Sequence, residues 1–202
     1  MKKASKFFLG AICAVTLLSI TTGCDKDKDK DKDKQTEEIQ ATTLTVDATA
    51  YEKWIYVSFV EGKIVEISDY QNELSWDMAL HRYDVRLNGG ASGKGQGAAL
   101  ETAYTELSEA TAIPESGYVL DAMDSIMLSA AMPPTYTPEP FNREASKWLN
   151  VNTTNMPPSY TPSEKVYIFK TAEGKHVKIK FIDYINAENI KGHIKFSYTY
   201  MD

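Results

Sequence analysis

From Gly192 to Tyr200 the chain changes character at every residue. Ile194, Phe196, Tyr198 and Tyr200 fall on one side, and His193, Lys195, Ser197 and Thr199 on the other. A period of two belongs to a strand with one buried face, and no helix can present that pattern. Shorter runs of the same kind occur throughout the chain. Leu44 to Asp47 alternates, Lys53 to Val60 is rich in aromatic and β-branched residues, and Lys63 to Ile67 alternates again. Trp76 to Leu87 reads as one longer extended run. Lys165 to Thr171 and Lys175 to Asp183 read as a hairpin turning through Ala172-Glu173-Gly174. Tyr118 to Leu120, Ser125 to Ala130 and Trp148 to Val151 also read as extended, and Pro114 to Gly117 as a turn. Leu100 to Ala110 fits a short helix or an irregular strand, and Glu139 to Ser146 has no clear pattern. Many short strands with few helical stretches predict an all-β domain of packed, mostly antiparallel strands with few short helices.

One heptapeptide is used twice among these strands. Met132-Pro133-Pro134-Thr135-Tyr136-Thr137-Pro138 recurs as Met156-Pro157-Pro158-Ser159-Tyr160-Thr161-Pro162, with Ser159 in place of Thr135 as the one difference. Three prolines in seven residues exclude a helix or a central strand, so each copy is expected to be an exposed loop. Proline fixes its own φ and holds the preceding residue extended, so each loop offers a Met and a Tyr from a stiffened backbone. The repeat admits two readings. In one it is a turn sequence whose Met packs on apolar surface. In the other, two soft thioethers approach the two faces of a flat ligand, as the axial ligands of a haem iron do.

The N-terminus reads as targeting rather than fold. Lys2, Lys3 and Lys6 precede an apolar run from Phe7 to Ile20, which ends at Thr21-Thr22-Gly23-Cys24. This is the layout of a secretory signal, and the run is short for a membrane span. A cysteine after a small residue at the cut resembles a bacterial lipoprotein signal, with residues 1–23 removed and Cys24 lipidated. Asp25 to Lys34 alternates acid and base ten residues long and has nothing to bury, so residues 24–42 read as a charged tether and 43–202 as the domain. Cys13 and Cys24 are the only cysteines, so the domain has neither disulfide nor thiolate metal site. Losing residues 1–23 removes three lysines and no acid, which leaves nineteen basic against 28 acidic residues and a net charge of −9. No basic face is apparent, which argues against nucleic-acid binding.

Few residues carry obvious chemistry. The stretch Asn88 to Gly97 holds five glycines, but Gly95 follows Lys94 where a phosphate-binding loop needs Ser or Thr, and Asn88 stands at its first glycine. His176 and His193 lie on polar strand faces and read as solvent-facing, while His81 reads as a structural residue on a strand. Met78, Met123, Met127 and Met201 fall in strand or turn stretches and read as core or edge filler. No acid, base or nucleophile assembles into a catalytic group, so the protein is expected not to be an enzyme. That leaves Met132 and Met156 as candidate metal ligands, with Tyr136 and Tyr160 flanking. A tyrosinate ligand needs a nearby cation to lower its pKa, and neither loop carries one, which favours sulfur.

The stretch Trp76-Asp77-Met78-Ala79-Leu80-His81-Arg82-Tyr83-Asp84-Val85-Arg86-Leu87-Asn88-Gly89-Gly90, continuing through Ser92-Gly93-Lys94-Gly95, closely resembles the HmuY family. Similarity extends to Tyr51-Glu52-Lys53-Trp54, Phe181-Ile182-Asp183-Tyr184 and Phe196-Ser197-Tyr198-Thr199-Tyr200, so it spans essentially the whole domain. The family comprises haem-binding, haemophore-like lipoproteins of Bacteroidetes that serve iron acquisition. The resemblance implies an all-β fold with haem held between two loops, a lipid anchor on the outer membrane facing the cell surface, and transfer of haem to a TonB-dependent receptor. Some members coordinate haem through two loop histidines. At the roughly corresponding positions this chain has Thr137 and Thr153, and Met132 and Met156 are the nearest residues able to bind iron. The resemblance therefore implies Met-Met ligation, with Tyr136 and Tyr160 flanking the porphyrin or bonding its propionates. The alternative is a surface carbohydrate- or protein-binding lipoprotein on the same scaffold.

Overall fold

The computed structural model describes residues 40–202 apart from Asn155. The expected signal peptide, the Cys24 lipidation site and most of the tether lie outside the described residues. In chain order the strands are β1 Thr42–Asp47, β2 Ile55–Ser58, β3 Lys63–Val65, β4 Met78–His81, β5 Asp84–Leu87, β6 Ala98–Glu101 and β7 Ala122–Ser129. After β8 Thr135–Phe141 comes a helix of one turn, α1 Arg143–Ser146, and then β9 Leu149–Asn152, β10 Ser159–Pro162, β11 Val166–Lys170, β12 His176–Ile185 and β13 Lys191–Met201. The fold is all-β, as the alternation predicts.

Two larger sheets form the body. One has the order β1-β13-β12-β11-β6 and the other β3-β2-β4-β5, with the named pairs antiparallel. A single apolar cluster draws on both: Val46, Ile179, Phe181, Ile194 and Phe196 from the first, and Val57, Met78, Leu80, Val85 and Leu87 from the second. Each such side chain, fully buried, contributes about 1.5–3 kcal/mol. The alternation of β13 does what the sequence requires, since Ile194, Phe196 and Tyr198 are buried while Lys195 is exposed. Two further ribbons, β7-β8 and β9-β10, have two strands each.

Two local expectations are corrected. Trp76 to Leu87 is not one run but a tight hairpin, with Met78 opposite Leu87 and His81 opposite Asp84. The turn is made by Arg82, at φ 53°, and Tyr83. No Gly or Asn marks it, and every residue of β4 and β5 is buried, so neither turn chemistry nor alternation marks the hairpin in the sequence. The glycine-rich stretch is tightly turned, with Asn88 and Ser92 fully buried while Gly90, Ala91, Lys94 and Gln96 are exposed. Asn88 donates to the carbonyls of Glu73 and Trp76, both at 2.9 Å, and accepts from Gly95 N. A Cβ on Gly89 would lie 2.2 Å from Gly97 O, so the glycines let two backbone segments touch. His176 and His193 are half-buried rather than solvent-facing, the His176 ring lying 5.6 Å from that of Tyr118. Of the two undecided stretches, Leu100 and Glu101 end β6 and the rest of that segment is turns, while Glu139 to Ser146 divides between β8 and α1.

Candidate functional site

The two heptapeptides occupy equivalent places. In each, Met-Pro-Pro makes the turn of a hairpin, and the following x-Tyr-Thr-Pro starts its return strand, β8 or β10. The expectation of two wholly looped copies is thus half right. Proline is tolerated in β8 and β10 because each ribbon has two strands, which leaves an edge where a missing N–H breaks no ladder. Met132-Pro133 and Met156-Pro157 are both cis.

The hairpins flank one cavity of about 370 Å³. The first contributes Met127, Ala130, Met132 and Pro134, and the second Val151, Thr153, Met156, Pro158 and Tyr160. The body supplies Tyr51, Arg82, Tyr83, Asp84 and Tyr184. Met132, Met156 and Tyr160 are therefore brought together, and Thr153 joins them. Tyr136 and Thr137 are not on the lining, and the Tyr136 ring is exposed. Met127 was missed. It reads as strand filler, but β7 belongs to a ribbon whose inner face turns towards the cavity, and strand periodicity gives no sign of that.

The floor is aromatic. Tyr184 lies 5.2 Å from Tyr160 and 6.1 Å from Tyr83, measured between ring centroids. Trp148 stacks on Phe181 at 4.6 Å beneath them, and its indole N–H donates to Tyr83 O at 2.9 Å. Burial pushes the Tyr83 phenol up to about 12 and raises Tyr184 well above the usual phenol range, so both stay neutral. The Tyr184 hydroxyl has no hydrogen-bond partner among the described residues.

Two cations frame this floor. The Arg82 guanidinium stands 4.6 Å from the Tyr51 ring centroid and 5.8 Å from that of Tyr184. Its Nη1 donates to Thr49 O at 2.8 Å and to Lys191 O at 3.3 Å. A Cβ on Gly192 would come within 2.8 Å of that nitrogen, so glycine is what lets Arg82 reach across. Lys191 Nζ lies 4.6 Å from the Tyr160 ring centroid. Neither loop carries a cation, but Tyr160 has one beside it because Lys191 arrives from β13.

His81 is buried behind the site. Its Nε2 donates to Tyr51 O at 2.9 Å, and its Nδ1 faces Asp84 Oδ2 at 3.4 Å. Burial raises the Asp84 carboxyl, and the His81 contact partly offsets this. His81 positions Tyr51 and Asp84 and presents no free nitrogen to the cavity. Among the described residues no group of three His, Cys, Asp or Glu side chains is placed to hold a metal ion. The donor set at the cavity is instead three thioethers, two of them from the paired heptapeptides, with aromatic faces and flanking cations. That set suits a flat, hydrophobic metal complex with acidic substituents.

Residues 50–198 match the HmuY protein family. The chain belongs to the HmuY family. A putative lipoprotein from Bacteroides fragilis is 36% identical, with 80% of this chain and 90% of that one aligned at a TM-score of 0.67. A putative HmuY-like haem-binding protein from Bacteroides vulgatus is 34% identical over 78% of this chain and 90% of its own, at a TM-score of 0.66. The apo HmuY analogue of Tannerella forsythia is 25% identical over 80% and 96%, also at 0.66. No curated protein matches. The Trp76 to Gly95 stretch builds the β4-β5 hairpin and the turn that carries Arg82, Tyr83 and Asp84 to the cavity.

Proposed function

We propose that this protein is a haem-binding, haemophore-like lipoprotein that captures haem between its two hairpin turns, with Met132 and Met156 as the axial ligands. The observation that carries the reading is that the Met residues of two copies of one heptapeptide line one aromatic cavity. The relative from Bacteroides vulgatus, described as haem-binding, supports the ligand class. Tyr160, Tyr184 and Tyr83 offer ring faces to a porphyrin, while Tyr136, outside the lining, has no such part. Lys191 and Arg82 are placed to meet carboxylates at the ligand's rim. The protein is a binder rather than an enzyme. It is anchored through Cys24 to the outer membrane, exposed at the cell surface, and delivers haem to a TonB-dependent receptor.

Bound iron would supply a soft acceptor for two neutral sulfurs. A thioether donates less electron density than imidazole and favours the ferrous state. Haem is therefore expected to bind more tightly under reduction than in air. Titrating the mature protein with haem, in air and then under dithionite, tests this. A sharp low-spin spectrum appearing mainly on reduction is expected. No spectral change in either state would overturn the reading and return the carbohydrate- or protein-binding alternative. Met132→Ala and Met156→Ala should each weaken binding by at least about tenfold, the lower end of what loss of an outer-shell partner alone does. His193→Ala should leave it unchanged.

A further inference from the structure

The same two methionines are also the most exposed methionines among the described residues. Met132 is 89% exposed and Met156 80%, against 61% for Met123 and 0% for Met78. Met127 and Met201 are intermediate. The described residues include no cysteine, so no thiol in the domain competes for an oxidant. Exposure of this degree is unusual for methionine, whose apolar chain normally packs.

We infer that Met132 and Met156 form a peroxide-sensitive modification pair whose oxidation to sulfoxide switches ligand capture off. The oxidant class is a peroxide. A sulfur lone pair attacks one peroxide oxygen, the S–O bond forms, the O–O bond breaks, and the departing oxygen leaves as water with both protons. Sulfur loses two electrons and the peroxide gains them. The product is polar and presents a hard oxygen where the cavity had a soft sulfur donor, and reductases can reverse it. Ligand capture engages the same lone pair, so an occupied site protects both sulfurs. The switch rests on the haem reading above, whereas the modification ordering does not.

The test treats the full mature protein with graded hydrogen peroxide. Peptide mass spectrometry then reads oxidation at each methionine, followed by haem titration under dithionite. Met132 and Met156 should oxidise first, Met123 later and Met78 last. Affinity for haem should fall at least tenfold once both are oxidised. It should fall equally in Met123→Leu and return after treatment with the two methionine sulfoxide reductases. Preloading with haem should protect positions 132 and 156 but not 123. Oxidation of Met123 ahead of both would overturn the pair as a modification site. Unchanged affinity after full oxidation at 132 and 156 would overturn the switch. An untreated protein that binds no haem would overturn the switch together with the haem reading, and the mass spectrometry still decides the ordering.

Discussion

The two hairpins carry nearly the same heptapeptide yet are rooted in opposite ways. The first, β7-β8, grows from a buried polar network. Asp121 precedes β7 and accepts from Leu87 N at 2.9 Å, Ser92 Oγ at 2.6 Å and Asn142 Nδ2 at 2.9 Å. Asn142 follows β8, donates its backbone N–H to Val85 O, and its side-chain Oδ1 accepts from Ala145 N as the cap of α1. Arg86, buried between the rings of Trp54 and Tyr70, donates to Glu139 Oε2 at 2.6 Å and to Pro140 O at 2.8 Å. The second hairpin, β9-β10, sits instead on a cluster of rings, with Tyr160 tilted against Tyr184 and Trp148 edge-on to Tyr184. A polar root fixes direction, because each bond has one geometry and a lost partner strands a buried group. An aromatic seat fixes proximity through area, and it tolerates sliding. The same motif therefore gives an inward, half-buried Tyr160 in one hairpin and an outward, exposed Tyr136 in the other.

Mutations can break this contrast, and the largest effect is expected at the aromatic seat. Trp148→Ala should destabilise the protein by about 3–5 kcal/mol in urea unfolding, since it opens a cavity in the core under β10. A loss under about 1 kcal/mol would mean that the second hairpin does not depend on the seat.

The polar root should show itself through pH. Burial pushes the Asp121 carboxyl up to about 6, against hydrogen bonds from Ser92, Leu87 and Asn142 that pull it down. Its folded pKa thus lies above the unfolded value of 3.8, so the folded protein holds this proton more tightly. The favourable contribution is complete below about pH 4 and is lost as pH rises to about 6, an effect on the order of 3 kcal/mol. Asp77 and Asp84 shift in the same direction, so the informative quantity is the difference between wild type and Asp121→Asn. Urea midpoints at successive pH values should show a smaller decline across that window in the variant. Parallel declines would remove Asp121 from the account.

The smallest effects separate the twin tyrosines. Tyr160→Leu keeps apolar bulk and loses the ring pair with Tyr184, so it should lower stability by about 0.5–1.5 kcal/mol. Tyr136→Leu should stay within about 0.5 kcal/mol. Equal values in thermal or chemical unfolding would erase the distinction between the two copies.

Much of the fold was legible because it rests on periodicity. β13 can be read directly, since one face of its alternation is buried, and the β11-β12 hairpin from two β-branched and aromatic runs broken at Ala172-Glu173-Gly174, although β11 is buried on both faces. The β4-β5 hairpin was not, because both faces are buried and the turn residue Arg82 gives no local signal. For the site, the repeat marked Met132, Met156 and Tyr160, which do share the cavity, but it marked Tyr136 equally. Met127 and Lys191 were illegible, since a strand residue's partner across a cavity leaves no trace in its own neighbourhood.

The sequence by itself determined the strand-rich class, the family, and the presence of two proline-stiffened turns each bearing a methionine. These follow from local patterns, which a chain carries whatever surrounds it. Only the tertiary structure decided that both turns border one cavity, that Tyr160 faces in while Tyr136 faces out, and that Arg82 and Lys191 arrive beside the rings. Those facts depend on contacts between segments far apart in the chain, where packing and the roots of the hairpins, not the heptapeptide, set direction.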